Sequence, residues 1–122
     1  MKKVELVGEI RDLEVVAESG IPVAITSLRV VRDGNIVTIS LASSKLAKAY
    51  VKLTASSEIQ ELIQIVNGDN TEVLRAGLVQ DGGWIRVGVF ERSRMISLEF
   101  PPGRYTRVQV DRTVFKGILA RI

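Results

Sequence analysis

The chain contains no cysteine and no histidine among its 122 residues. That absence removes disulfide frameworks, zinc fingers, thiol nucleophiles, imidazole bases and most transition-metal sites together. Only three prolines occur, Pro22, Pro101 and Pro102, and they fall where alternating segments break. No apolar run is long enough to cross a bilayer. After Met1-Lys2-Lys3, the run Val4-Glu5-Leu6-Val7 alternates like a strand rather than forming the apolar segment of a signal peptide. A cytoplasmic protein with no membrane segment is therefore expected. The carboxylates Glu5, Glu9, Asp12, Glu14 and Glu18 spread along the first strands without a convergent pair, and Gly82-Gly83 lacks the strand, turn and Lys-Ser or Lys-Thr helix of a phosphate loop. No catalytic constellation is visible, so we expect neither enzymatic activity nor a cofactor or metal.

Hydrophobic residues make up 46% of the sequence, enough to close the core of one domain spanning 1–122. The formal charge of +3 is mildly basic, which permits a polyanionic partner without requiring one. The strongest pattern is an internal repeat. Ile59, Leu62, Ile63 and Val66 recur at the spacing of Phe115, Ile118, Leu119 and Ile122, each set following i, i+3, i+4, i+7 as one face of a helix. Each helix follows a strand, with Ala49, Val51 and Leu53 inward in the first copy and Thr106, Val108 and Val110 in the second. The expected fold class is α+β: two ββββα repeats, 1–68 and 69–122, with curved antiparallel sheets and two packed amphipathic helices.

Residues 3–18 read as one long bent strand or two short ones, with an irregularity at Arg11-Asp12. Strands follow over 23–32 and 35–42, joined by Asp33-Gly34-Asn35, which suits a type I′ turn with positive φ at its centre. Ser56 or Ser57 can cap the first helix, Ser57 with Gln60 as a capping box, and Asn67-Gly68 supplies a positive-φ stop. In the second copy, strands are expected over about 71–79, 84–91, 94–100 and 104–110. Asp111 or Thr113 then caps a helix whose far end suits Arg121. Because Ile122 ends the second apolar stripe, that helix is expected to finish its burial against another subunit, giving a homodimer.

Alternation also sorts candidate functional residues. In strand 84–91, Ile85, Val87 and Val89 face one way, and Trp84, Arg86, Gly88 and Phe90 the other. Arg104 or Tyr105, Arg107 and Gln109 face outward in the last strand, as do Lys48, Tyr50 and Lys52 opposite Ala49, Val51 and Leu53. Rings stack on unpaired bases while Arg and Lys neutralise the phosphates between them, so such faces suit single-stranded DNA or RNA. The competing reading puts Trp84 and Phe90 in a second core beneath a helix, with the arginines solvating edges. Arg92, Arg94 and Arg104 flank the strand at 94–100 and could grip phosphates, although charged turn residues more often keep a hairpin soluble.

The order of four strands and a helix, with Pro102-Gly103-Arg104 before Arg107-Val108-Gln109-Val110-Asp111 and the helical Phe115, Ile118 and Leu119, resembles the fold shared by Whirly proteins, the Pur-alpha repeat and the transcriptional positive cofactor four family. The likeness is strongest over 85–122 and covers the first copy only as a pattern. It implies binding of single-stranded DNA or RNA across curved sheets. By position, it implies ligand-facing roles for Lys48, Tyr50, Lys52, Trp84, Arg86, Phe90, Tyr105 and Arg107. The sequence has no long motif identical to those families, so fold and activity are separate questions. Sequence-tolerant binding of single-stranded nucleic acid ranks first, a structural or protein-interaction subunit of a larger assembly second and an enzyme third.

Overall fold

The computed structural model describes residues 4–16, 25–43, 49–77, 82–101 and 107–122. Among these, the chain forms an α+β fold of nine strands in two antiparallel sheets with two helices. Sheet A has the order β1-β3-β4-β5, built from β1 (Val4–Ile10), β3 (Ile25–Asp33), β4 (Ile36–Ser43) and β5 (Ala49–Thr54). Sheet B has the order β2-β9-β8-β7-β6, built from β2 (Glu14–Val16), β9 (Arg107–Asp111), β8 (Met95–Glu99), β7 (Trp84–Val89) and β6 (Glu72–Arg75). Helix α1 (Glu58–Asn67) follows β5, and α2 (Arg112–Leu119) follows β9.

The irregularity at Arg11-Asp12 is the point where the first long segment changes sheets. β1 pairs with β3, residues 11–13 leave the ladder, and β2 pairs with β9 through Glu14↔Gln109 and Val15↔Val108. Both sheets bury alternate residues. Leu28, Val30, Val37, Ile39, Val51 and Leu53 of sheet A join Ile85, Val87, Ile96, Leu98, Val108 and Val110 of sheet B in one apolar core. Each helix touches both sheets and the other helix, α1 against β5, β6 and β7 and α2 against β1 and β9. Ile59, Leu62, Val66, Phe115, Ile118 and Leu119 are buried as their spacing required.

Ile122 departs from expectation. It packs on this chain's own core, half-buried, and its carbonyl accepts from Arg32 Nη1 at 3.2 Å, so the end of the stripe is partly covered without a second subunit. Arg121 Nε donates to the Gly117 carbonyl in the last turn at 3.3 Å, as a cation at that end should.

Local signals fared unevenly. Asp111 is the N-cap of α2, its Oδ1 accepting from Val114 N–H at 3.0 Å. The β3–β4 loop is the two residues Gly34-Asn35, but only Gly34 has positive φ, at 61°, which fits a type II′ turn rather than type I′. Ser57 occupies the N-cap of α1 without a side-chain cap bond, and Gln60 is exposed, so the capping box does not form. Thr54 Oγ1 accepts from Glu58 N–H at 3.3 Å instead. Gly68 ends α1 in an extended conformation with φ −82°, not at positive φ. β6 stops at Arg75, and β9 is described only from Arg107.

Helix α2 comes close to β1 through one glycine. A methyl group on Gly8, beside the β1 irregularity at Leu6/Gly8, would lie 2.7 Å from Ile118 Cγ1 and 2.9 Å from its Cδ1 and Cγ2. Because the neighbour is a buried side chain with little room to move, Gly8→Ala should cost about 1–3 kcal/mol of folding stability by overpacking. In urea unfolding, combining it with Ile118→Ala should cost less than the sum of the two single changes. Strict additivity would mean the two residues do not share this space.

Candidate nucleic-acid interface

The outer face of sheet B follows from register. Arg86 stands opposite Glu99, and Glu99 opposite Arg107, so three neighbouring strands set the row Arg86–Glu99–Arg107, with Val73 of β6 beyond Arg86. The next row is Gly88–Ser97–Gln109–Glu14. Trp84 stands opposite Arg75, and Met95 opposite Asp111. The intervening residues Ile85, Val87, Ile96, Leu98, Val108 and Val110 are fully buried on the other side. The helices therefore cover the Ile85–Val87 side. Phe90 is 55% exposed, the Arg86 side chain is exposed, and Trp84 is half-buried. The competing arrangement, with Trp84 and Phe90 in a second core under a helix, is not the one the described residues adopt.

Charge and aromaticity meet at Arg86. Its guanidinium carbon lies 5.9 Å from the Trp84 ring centroid, and its Nη1 lies 3.5 Å from Glu99 Oε1. The first distance is at the outer limit of a useful cation–π contact. Glu99 is 9% exposed, so a nearly buried carboxylate sits between two arginines, on a face that also carries Glu14 and Asp111. Gly88 does not hold space open for a ligand ring. A Cβ there would meet Ser97 Oγ and would lie 3.7 Å from the Phe90 ring, so that space is already shared by the protein's own side chains.

The residues selected from the sequence divide between the sheets. Trp84, Arg86, Phe90 and Arg107 belong to sheet B. Tyr50 and Lys52 lie on the outer face of sheet A, opposite Ser40 and Thr38, with the Lys52 Nζ 5.7 Å from the Tyr50 ring centroid. Lys48 and Tyr105 lie outside the described residues, as does Arg104. A backbone seam joins the two groups. Lys52 N–H donates to the Gly82 carbonyl at 2.9 Å, Gly83 at φ +80° lies against the Tyr50 carbonyl, and Trp84 follows directly.

On sheet A, one carboxylate is shared by two arginines. Glu9 accepts from Arg11 Nε at 2.7 Å and lies 4.0 Å from Arg29 Nε. The hydrogen bond from Arg11, followed by the nearby positive charges, holds the Glu9 carboxyl below its ordinary range and raises Arg11 in turn. Two arginines of that face are thus engaged internally. Sequence reasoning missed Glu99 and also Arg112, which donates from Nη2 to the Phe90 carbonyl at 3.4 Å. Alternation within 95–99 could have placed Glu99 outward, but only the register shows that it separates two arginines. Comparison with known proteins found no matching family model, no matching curated protein and no matching solved structure.

The assignment of faces can be checked by stability. Val87→Ala should lower folding free energy by about 1–3 kcal/mol through the removal of two buried methyl groups and the cavity left behind. Phe90→Ala, removing a half-exposed ring, should cost under about 1 kcal/mol. Chemical denaturation giving the reverse order would mean the faces are exchanged.

Proposed function

We propose that the chain binds single-stranded DNA or RNA with little sequence preference across the outer face of sheet B. One observation carries this reading: on β7, alternation and burial put Ile85, Val87 and Val89 in the core and leave Trp84, Arg86 and Phe90 on the solvent side. Unpaired bases stack on such rings at about 1–3 kcal/mol each, and guanidinium groups neutralise the phosphates between them. Trp84 and Phe90 are six residues apart along the chain, or roughly 20 Å of extended strand, so several nucleotides fit between them. Tyr50 and Lys52 extend the surface onto sheet A across the Gly82-Gly83 seam.

The element order supports the two-copy plan. β1, β3, β4, β5 and α1 are followed by β6, β7, β8, β9 and α2, which fits two ββββα repeats of the Whirly or Pur-alpha kind, with β2 as an added link. In this reading the sheets curve outward from the helices and present their outer faces to the strand. Glu99 then has a defined part: it holds the Arg86 guanidinium in place and competes with phosphate for it.

A homodimer remains part of the proposal, through β1 rather than Ile122. β1 is an edge strand of sheet A, and its Val4 and Leu6 are 61% and 52% exposed, as a strand awaiting a partner would be. Sedimentation at micromolar concentration should give twice the chain mass, and Leu6→Lys should return it to one. A monomer throughout would remove the dimer.

Titrating labelled oligothymidine at several salt concentrations tests the function. Trp84→Ala should remove about 1–3 kcal/mol of binding with the salt slope unchanged, because a ring releases no counterions. Arg86→Ala should flatten the slope by roughly 0.7 for each phosphate that the guanidinium neutralises. Glu99→Gln should tighten binding and steepen the slope, since it frees Arg86 for phosphate. Absence of binding by the parent chain, or indifference of binding to all three changes, would end this reading.

A further inference from the structure

The far end of the sheet B face, past Phe90, gathers arginines that the proposed strand-binding face does not use. β7 ends at Val89, and Phe90 opens a turn in which its carbonyl accepts from Ser93 N–H at 2.9 Å. Helix α2 is fastened to this turn twice. Arg112 N–H donates to the Arg94 carbonyl at 2.8 Å, and Arg112 Nη2 reaches the Phe90 carbonyl at 3.4 Å. Arg92, Arg94 and Arg112 are thus attached to one hairpin end, beside a ring that is 55% exposed.

Three observations bear on this cluster. Among the described residues, no carboxylate lies within ion-pair distance of Arg92, Arg94 or Arg112, as is also the case for Arg32, Arg75 and Arg121, whereas Arg11, Arg29 and Arg86 each have one. The nearest acids in sequence are Glu91, exposed in the same turn, and Asp111, whose Oδ1 is engaged by Val114 N–H. Arg92 has φ +63°, the one non-glycine residue at positive φ among those described. That conformation suits glycine and is disfavoured for a long side chain, so an arginine held there is a reason to look for a role. Finally, Arg112 Nε is buried with no hydrogen-bond partner among the described residues. That nitrogen is out of reach of water, while Nη2 is anchored on Phe90.

Guanidinium forks match phosphate oxygens in pairs, and several together suit a group with more than one negative charge. A phosphate diester inside a strand carries one. A terminal phosphate monoester carries about −1.5 to −2 at neutral pH. Phe90 is the last outward residue at its end of β7, so a base stacked there is the last that the face can hold. We propose that Phe90 with Arg92, Arg94 and Arg112 holds the phosphorylated end of a single strand whose body crosses sheet B. The terminal base stacks on the ring, and its phosphate monoester sits among the three arginines. This rests on the nucleic-acid reading of the face and adds a terminus to it.

The test uses the full chain and three oligothymidines of equal length, carrying a 5′-phosphate, a 3′-phosphate or neither, titrated by fluorescence anisotropy. One phosphorylated form should bind at least about tenfold tighter than the unphosphorylated strand, and which one it is gives the polarity of the strand. Arg92→Gly should abolish that preference while the unphosphorylated strand binds within about twofold of the parent. Since glycine relieves the positive φ, this variant should fold at least as well, and its thermal midpoint excludes unfolding as the cause. Arg94→Ala should behave in the same way. Equal affinity for all three strands overturns the terminal site and leaves the face intact. An end preference that survives both substitutions, or an equal loss for all three strands, also overturns it. If no strand binds at all, the nucleic-acid reading falls, and the terminal site falls with it.

Discussion

The carboxylate of Glu58 stands where three elements have to meet. It is 6% exposed and accepts from Thr54 N–H at 2.9 Å, Thr54 Oγ1 at 3.2 Å and Gly77 N–H at 2.8 Å. Burying a carboxylate is unfavourable unless hydrogen bonds replace the lost water, and here donors from the end of β5 and from the segment after β6 supply them. Helix α1 has ten residues, too few to be stable in water alone. Its start is fixed by this junction, and its position by the apolar faces it covers. The seam continues from Lys52 N–H to the Gly82 carbonyl and from Ala76 N–H to the Gly83 carbonyl. Once α1 lies against β7 on the side of Ile85 and Val87, period-two geometry leaves Trp84, Arg86 and Phe90 no side but the solvent one. The open face of sheet B is a consequence of how its other face is covered.

Much of this was legible because it is local. Alternation in β7 sorted its two faces correctly, the i, i+3, i+4, i+7 stripes marked both helices, and Asp111 was one of the two caps offered, beside Thr113. What failed was of two kinds: local backbone details with a nearby competitor, and contacts with partners distant in sequence. Nothing near Ser57 reveals that Thr54, at the end of a strand, would take over the start of α1, or that Glu58 would be buried by a bond to Gly77. Arg11-Asp12 was visible as a break, but not as a crossing between sheets, because strand pairing is set by register rather than by composition. Register also explains the incomplete view of the site. Tyr50 and Lys52 share a pattern with Trp84 and Arg86, yet they sit on different sheets, and Glu99 enters the site only through its cross-strand neighbours.

Charges are paired differently on the two faces, which net charge alone does not show. On sheet A, Glu9 engages Arg11 and Arg29, and its own acidity is increased by that pairing. The single Glu9 carboxylate thus offsets one unit of charge shared between two cations on that face. On sheet B, Glu99 occupies the centre of one row and Glu14 ends the next, while Arg92 and Arg94 at the hairpin end beyond Phe90 have no ion-paired acid among the described residues.

Under the proposed function, the Arg86–Glu99 pair bears on how tightly a strand would be held. Arg86 is anchored by Glu99, so it loses little side-chain freedom when a phosphate arrives, and preorganisation of this kind favours binding. The same carboxylate cancels part of the field that attracts the phosphate, and the cancellation is strong because Glu99 is poorly solvated while the Arg86 side chain is 51% exposed. The two effects oppose each other at one residue. Stacking on Trp84 and Phe90 suffers no such opposition, since a ring needs no counter-ion. Under the proposed function, such a face would draw its affinity from its rings and its orientation from its arginines, as a ligand held by unpaired bases and read without regard to their identity would need.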